Sequence, residues 1–113
     1  MNGIRGAIAT VENTENDILK CTKELFNTIV ENNNLDISKI VSVIFTVTND
    51  LDAAFPAKAL RELGYHQLSA IDTKAPNVVN DLEGCIRVLV TYKDEIEVTH
   101  TYLGEAKNLR PDR

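Results

Sequence analysis

Hydrophobic spacing changes period along the chain, and each change marks a new element. From Ile4 to Val11 the residues are β-branched or small apart from Arg5, which predicts a strand. Thr14 precedes Asp17 in a variant capping box, with Asp in place of Glu, and opens a helix. Ile18, Leu19, Leu25, Phe26, Ile29 and Val30 recur at helical spacing, so the helix runs to about Asn32. Asn32, Asn33 and Asn34 tolerate the left-handed backbone of a helix stop. Ile40 to Thr48 is the strongest strand pattern in the chain.

Pro56 suits a first helical position, and a short helix from there to about Leu63 ends at Gly64. Gln67 to Asp72 reads as a short strand. Thr73 to Gly84 collects Pro76, Asn77, Asn80 and Asp81 and reads as a loop. Cys85 to Tyr92 is nearly all apolar, which predicts a strand buried on both faces. Glu97 to Tyr102 is a last short strand. The order β-α-β-α-β-β-β predicts an α+β fold, a mixed five-stranded sheet with one long and one short helix. So little helix leaves sheet uncovered, which predicts association with other copies.

With 113 residues the chain is expected to form a single domain, 1–113. Its 12 Lys+Arg against 17 Asp+Glu give a formal charge of -5, which argues against a nucleic-acid surface but leaves room for a small cationic pocket. Apolar runs reach only three residues, as at Val43-Ile44-Phe45, against the roughly 20 needed to cross a bilayer. No apolar stretch of a signal peptide follows Met1, so a cytoplasmic location is expected, with no membrane partner. Cys21 and Cys85 are then expected to be free thiols.

Arg87 interrupts the apolar run Cys85-Ile86-Arg87-Val88-Leu89-Val90, where an unpaired guanidinium is costly. Either an internal ion pair or an arriving ligand satisfies it. Arg5 poses the same question within Ile4-Arg5-Gly6-Ala7, while Lys58 and Arg61 share a face of the short helix. These four cations on separate elements suit an anion site, because guanidinium and ammonium groups complement carboxylates. No phosphate-cradling glycine loop, Cys-x-x-Cys, metal-binding His-Glu-x-x-His or nucleophile elbow is present, and no cofactor or metal is expected. His66 and His100 stand alone. Cys85 reads as a buried, inert thiol.

Six segments carry a family resemblance. They are Gly3-Ile4-Arg5-Gly6-Ala7, Ile44-Phe45-Thr46-Val47-Thr48-x-Asp50-Leu51, Ala54-Phe55-Pro56-Ala57-Lys58-Ala59-Leu60-Arg61, Cys85-Ile86-Arg87-Val88, His100-Thr101-Tyr102-Leu103 and Leu109-Arg110-Pro111-Asp112. In this order they resemble the monofunctional AroH-type chorismate mutases, a trimeric pseudo-α/β-barrel class. The resemblance spans essentially the whole chain. It implies an isomerase that converts chorismate to prephenate by a Claisen rearrangement, for phenylalanine and tyrosine synthesis in the shikimate pathway. It further implies a homotrimer with sites between neighbouring subunits. By the same resemblance, Arg87 meets the ether oxygen, and Arg5 binds a carboxylate assisted by Tyr102. Phe55, Ala57, Lys58, Arg61, Leu109 and Arg110 complete the pocket, with Phe55 and Leu109 excluding water.

One position departs from the family. Its glutamate, which accepts a hydrogen bond from the substrate hydroxyl, falls on Ala75 when counted back from Arg87. Asp72 is the nearby carboxylate expected to take over that duty as a catalytic residue. Asp81 and Glu83 lie nearer the start of the next strand and are weaker substitutes. Two other functions compete: a trimer that binds a related cyclic dicarboxylate without rearranging it, and a trimeric enamine/imine deaminase. The deaminase lacks the Phe-Pro-Ala-Lys-Ala-Leu-Arg block.

Overall fold

Long-range pairing sorts these segments into one sheet. The computed structural model of the chain describes residues 1–108. In chain order its elements are β1 (Asn2–Ala9), α1 (Glu15–Asn33), a 3₁₀ turn (Ile37–Lys39), β2 (Ile40–Val47), α2 (Lys58–Glu62), β3 (Ala70–Lys74), β4 (Ile86–Tyr92), β5 (Thr101–Gly104) and a closing 3₁₀ turn (Glu105–Asn108). The strands form one five-stranded sheet in the order β3-β2-β4-β1-β5. β4 runs antiparallel to both β1 and β2, while β3 and β5 lie parallel to β2 and β1 at the two edges. The mixed α+β architecture expected from the pattern is present.

Local chemistry sets the ends of α1. Thr14 caps it, its hydroxyl accepting from the Asp17 N–H at 3.0 Å. The Asp17 carboxylate does not return to the Thr14 N–H as a full capping box would; it accepts instead from the Glu12 N–H at 2.7 Å. Asn34 ends the helix in the left-handed region, with φ 49°. Ile18, Leu25, Phe26 and Ile29 along one stripe of α1 are buried against Ile4, Ile8, Phe45, Val88 and Val90 of the sheet. Each such side chain contributes on the order of 1.5–3 kcal/mol on burial. Gly6 is what lets α1 lie so close, because a Cβ there would meet Ile29 Cδ1 at 2.7 Å.

Three expectations change in detail. β3 occupies Ala70–Lys74 and not Gln67–Asp72, because it pairs in register with Val43–Val47 of β2. β5 begins only at Thr101, so the segment expected to be a strand from Glu97 is irregular up to His100. Side chains serve its backbone there: Asn33 of α1 donates to the Thr99 carbonyl and accepts from the Thr99 N–H, at 2.9 and 2.7 Å. β4 is also not buried on both faces. Ile86, Val88, Val90 and Tyr92 face the helices, whereas Leu89 on the other face is 40% exposed and Arg87 is half-buried.

That second face is the bare side of the sheet. Among the described residues its far end is covered, where Ala7, Ala9, Cys85 and Ala106 pack together with Leu82 and Tyr102 against them. Cys85 is buried and Cys21 half-buried, and both are free thiols. Burial, with Asp17 and Glu24 adding, pushes the Cys21 thiol up to about 11.

Candidate active site

Strand register brings two of the four expected cations, Arg5 and Arg87, onto the bare face. Ala7 is paired with Arg87 on one side and Tyr102 on the other, and Arg87 in turn with Thr46. Thr46, Arg87, Ala7 and Tyr102 thus form one row across β2, β4, β1 and β5. Arg5 is opposite Leu89 and lies one step along, so Arg5 and Arg87 are diagonal neighbours with backbones roughly 7–8 Å apart. Between them runs a groove of about 690 Å³ lined by Arg5, Arg87, Tyr102, Asp81, Leu89 and the exposed Val78 and Val79, among others. Its floor is sheet, one wall is the loop before β4, and the other side is open.

Arg87 has an internal partner. Its Nη2 lies 3.3 Å from Asp81 Oδ2 and 3.5 Å from Oδ1, with both side chains about a third exposed or less. The Leu82 N–H donating to Asp81 holds that carboxyl below its usual range, and Arg87 adds to the effect. Arg5 has no ion pair among the described residues. Its backbone N–H donates to Nδ1 of His100 at 2.9 Å, which ties β1 to the start of β5 and fixes the imidazole with Nδ1 unprotonated.

The second group of expected residues sits elsewhere. Phe55, Ala57, Lys58 and Arg61 belong to α2 and the turn before it, on the helix side of the sheet. Phe55 is 71% exposed, a large apolar side chain left mostly uncovered by the described residues. Ala57 is buried, Arg61 exposed, and Lys58 Nζ stands 3.5 Å from Glu15 Oε2, both largely solvated. One chain does not bring this group to Arg5 and Arg87.

Asp72 belongs to the second group. It is paired with Phe45 and through it shares a face with Val88, whereas Arg87 points to the opposite side in the Thr46 row. Its Oδ1 accepts from the Ala57 N–H at 2.9 Å. Burial raises its carboxyl above the ordinary value, against the lowering effect of that N–H and of Arg61. Within the chain Asp72 is on the opposite face of the sheet from Arg87, where it anchors the start of α2. Strand alternation is the reason, since an odd offset in register reverses the face. Ala75 is buried, and its N–H extends the β3 pairing by donating to Val47 O at 2.9 Å. Leu109 and Arg110 lie outside the described residues.

Sequence reasoning gave two contributors, Asp81 and His100, too small a part. Asp81 was read as a turn-forming residue and a weaker substitute for the family glutamate, and His100 as an isolated histidine within the His100-Thr101-Tyr102-Leu103 block. Neither has a spacing signal, because each meets its partner through the sheet and not along the chain.

An α+β sheet with two guanidiniums and a phenol lining a largely apolar groove on one face defines a small domain with a cationic pocket. A family model for chorismate mutase type I matches residues 1–113. The chain is 40% identical to a chorismate mutase AroH from Thermus thermophilus, over 99% of this chain and 95% of the relative. It is 37% identical to chorismate mutase AroH of Bacillus subtilis, over 99% and 91%. A solved chorismate mutase from Clostridium thermocellum superposes with a TM-score of 0.91 at 38% identity, covering 95% of this chain and 98% of that one. The chain belongs to the chorismate mutase type I family. It is an enzyme, an isomerase of that family's kind.

Proposed function

We propose that the chain converts chorismate to prephenate in a groove completed by a second copy, the working form being a homotrimer in the cytoplasm. The observation that carries this is the pairing of Arg5 and Arg87 on one open sheet face, beside Tyr102. Chorismate brings two carboxylates, and an acidic protein needs fixed cations to hold them. Its rearrangement is intramolecular, breaking one C–O bond as one C–C bond forms, with no proton transfer. Catalysis therefore reduces to holding a compact near-attack conformer and stabilising the charge that separates.

Arg87 is the group for the ether oxygen, where negative charge grows, and so discriminates the transition state from the substrate. Arg5 takes a carboxylate and Tyr102 assists it. Phe55, Ala57, Lys58 and Arg61 come from α2 of the neighbouring copy and close the open side; the exposure of Phe55 supports this. Leu109 and Arg110 complete the closure. Asp72 acts through Ala57 as a positioning residue, and Ala75 contributes a methyl group where the family carries a carboxylate. Prephenate then feeds phenylalanine and tyrosine synthesis.

Arg87→Ala, followed by the absorbance loss of chorismate, is expected to lower turnover at least about 10³-fold, the scale of removing a fixed electrostatic donor. A folded variant with near-normal turnover overturns the assignment. Sedimentation showing a stable monomer of 12.6 kDa at micromolar concentration overturns the trimer. The alternative, a copy that binds a related cyclic dicarboxylate without rearranging it, rests on Ala75; the same assay on the unaltered protein separates the two.

A further inference from the structure

We propose that Asp81 is a resident counter-ion on Arg87, which an incoming dicarboxylate must displace as it docks between Arg5 and Arg87, so that the segment 75–84 is an ionic latch over the groove. This rests on the reading above that the groove takes a dicarboxylate. Both contacts of the pair come from a single guanidinium nitrogen, at 3.3 and 3.5 Å. Charge-assisted pairs with good geometry close to about 2.7–2.9 Å and use two nitrogens. The pair is therefore loose, and a dianionic ligand that sets an acceptor oxygen squarely on the guanidinium fork, with its carboxylate on Arg5, outcompetes it.

The latch segment is pinned at its ends, and Leu82 packs against Ala7, Ala9, Cys85 and Ala106, so the stretch left to move is 76–81. Ala75 N–H donates to Val47 O at 2.9 Å, Gly84 N–H to Asp50 Oδ2 at 2.9 Å, and Cys85 N–H to Thr48 Oγ1 at 3.0 Å. Between these pins, the hydrogen bonds are local: Asp81 N–H to Val78 O and Leu82 N–H to Asp81 Oδ1. Among the described residues, the tie from Asp81 to Arg87 is the one ion pair joining this segment to the sheet. Val78 and Val79, 62% and 86% exposed, hang at the groove beside it. When a ligand takes Arg87, like charge drives Asp81 off, and the two valines are released to settle on the apolar part of the ligand.

The test is isothermal titration of isophthalate, a ring-borne dicarboxylate that cannot rearrange, into the unaltered protein and Asp81→Asn at low salt. Asparagine keeps Oδ1 for the Leu82 N–H and loses only the charge, so the turn is preserved. Removing the competitor is expected to tighten isophthalate about three- to tenfold, the scale of an exposed pair plus the relieved repulsion. The gap narrows with added salt. Unchanged or weaker binding overturns the latch, and weaker binding would make Asp81 a positioning residue for Arg87. Chorismate turnover by the unaltered protein is read separately. If it consumes chorismate while Asp81→Asn binds isophthalate no tighter, the latch alone fails. If it neither consumes chorismate nor binds isophthalate, the reading beneath it fails as well.

Discussion

Asp72→Ala tests whether this carboxylate is an anchor or an acceptor for substrate. The substitution removes the partner of the Ala57 N–H, and Ala57 is buried with 7% of its surface exposed. An unsatisfied buried N–H costs about 1–3 kcal/mol. The desolvation that raises the Asp72 carboxyl offsets part of this, because the lost group was itself strained in its charged form. A net loss of about 1–2 kcal/mol is expected, a fall in Tm of about 5 °C or more for a domain of this size. Asp72→Asn keeps the acceptor at the same reach with no charge to desolvate, and should stay close to the unaltered protein at pH 7.

The pH dependence gives a second handle. Because the folded carboxyl lies above the ordinary value of 3.8, the folded state holds the proton longer than the unfolded one. Asp72 therefore contributes a fall in stability as pH rises from 3.8 through its raised value, and a constant above it. Thermal unfolding by circular dichroism, at one protein concentration across pH 3–7, reads this as the unaltered protein minus Asp72→Asn. That difference should decline with pH and then level off. A full loss of chorismate turnover in Asp72→Asn with unchanged Tm would refute the anchor. So would an Asp72→Ala protein as stable as its parent, or a difference curve that climbs with pH.

Gly84→Ala should be the costlier of two glycine substitutions, by about 2 kcal/mol or more, because φ is +57° there and a Cβ would meet the Val11 carbonyl oxygen at 2.7 Å. Denaturant midpoints read it, and a loss under about 0.5 kcal/mol would contradict the backbone clash. Gly6→Ala places its Cβ against the tips of Ile29 and Leu25, at 2.7 and 3.2 Å, which can yield by rotation, and against the Thr101 carbonyl oxygen at 3.0 Å, which must shift slightly. It should cost about 1–3 kcal/mol as overpacking and reduce chorismate turnover by shifting the neighbouring Arg5. Normal stability and turnover together would show that α1 has slack over β1.

Element type was legible in the sequence wherever a local period or a cap carries it. The α1 stripe from Ile18 to Ile29, the Thr14 cap and the stop at Asn34 depend on residues within a few positions of one another, so spacing alone reveals them. β2 was legible for the same reason. β5 was legible only in part, because residues 97–100 read as strand while Thr99 and His100 find partners across a side chain, with Asn33 clasping Thr99 and His100 taking the Arg5 N–H. Their placement depends on where the end of α1 comes to rest, which no local pattern encodes.

The two arginines of the groove could be read directly from the chain, since an arginine inside an apolar strand demands a partner whatever the fold. Which partner was a matter of tertiary structure. Asp72 and Asp81 are both short carboxylates in the stretch before β4, and spacing favours neither. Pairing in the sheet separates them: the register of β3 against β2 turns Asp72 to the helix side and onto Ala57, while the pinned loop swings Asp81 over the bare face to Arg87. A strand shows its two faces alternately, so a choice of register is also a choice of face, and register comes from contacts far apart in the chain.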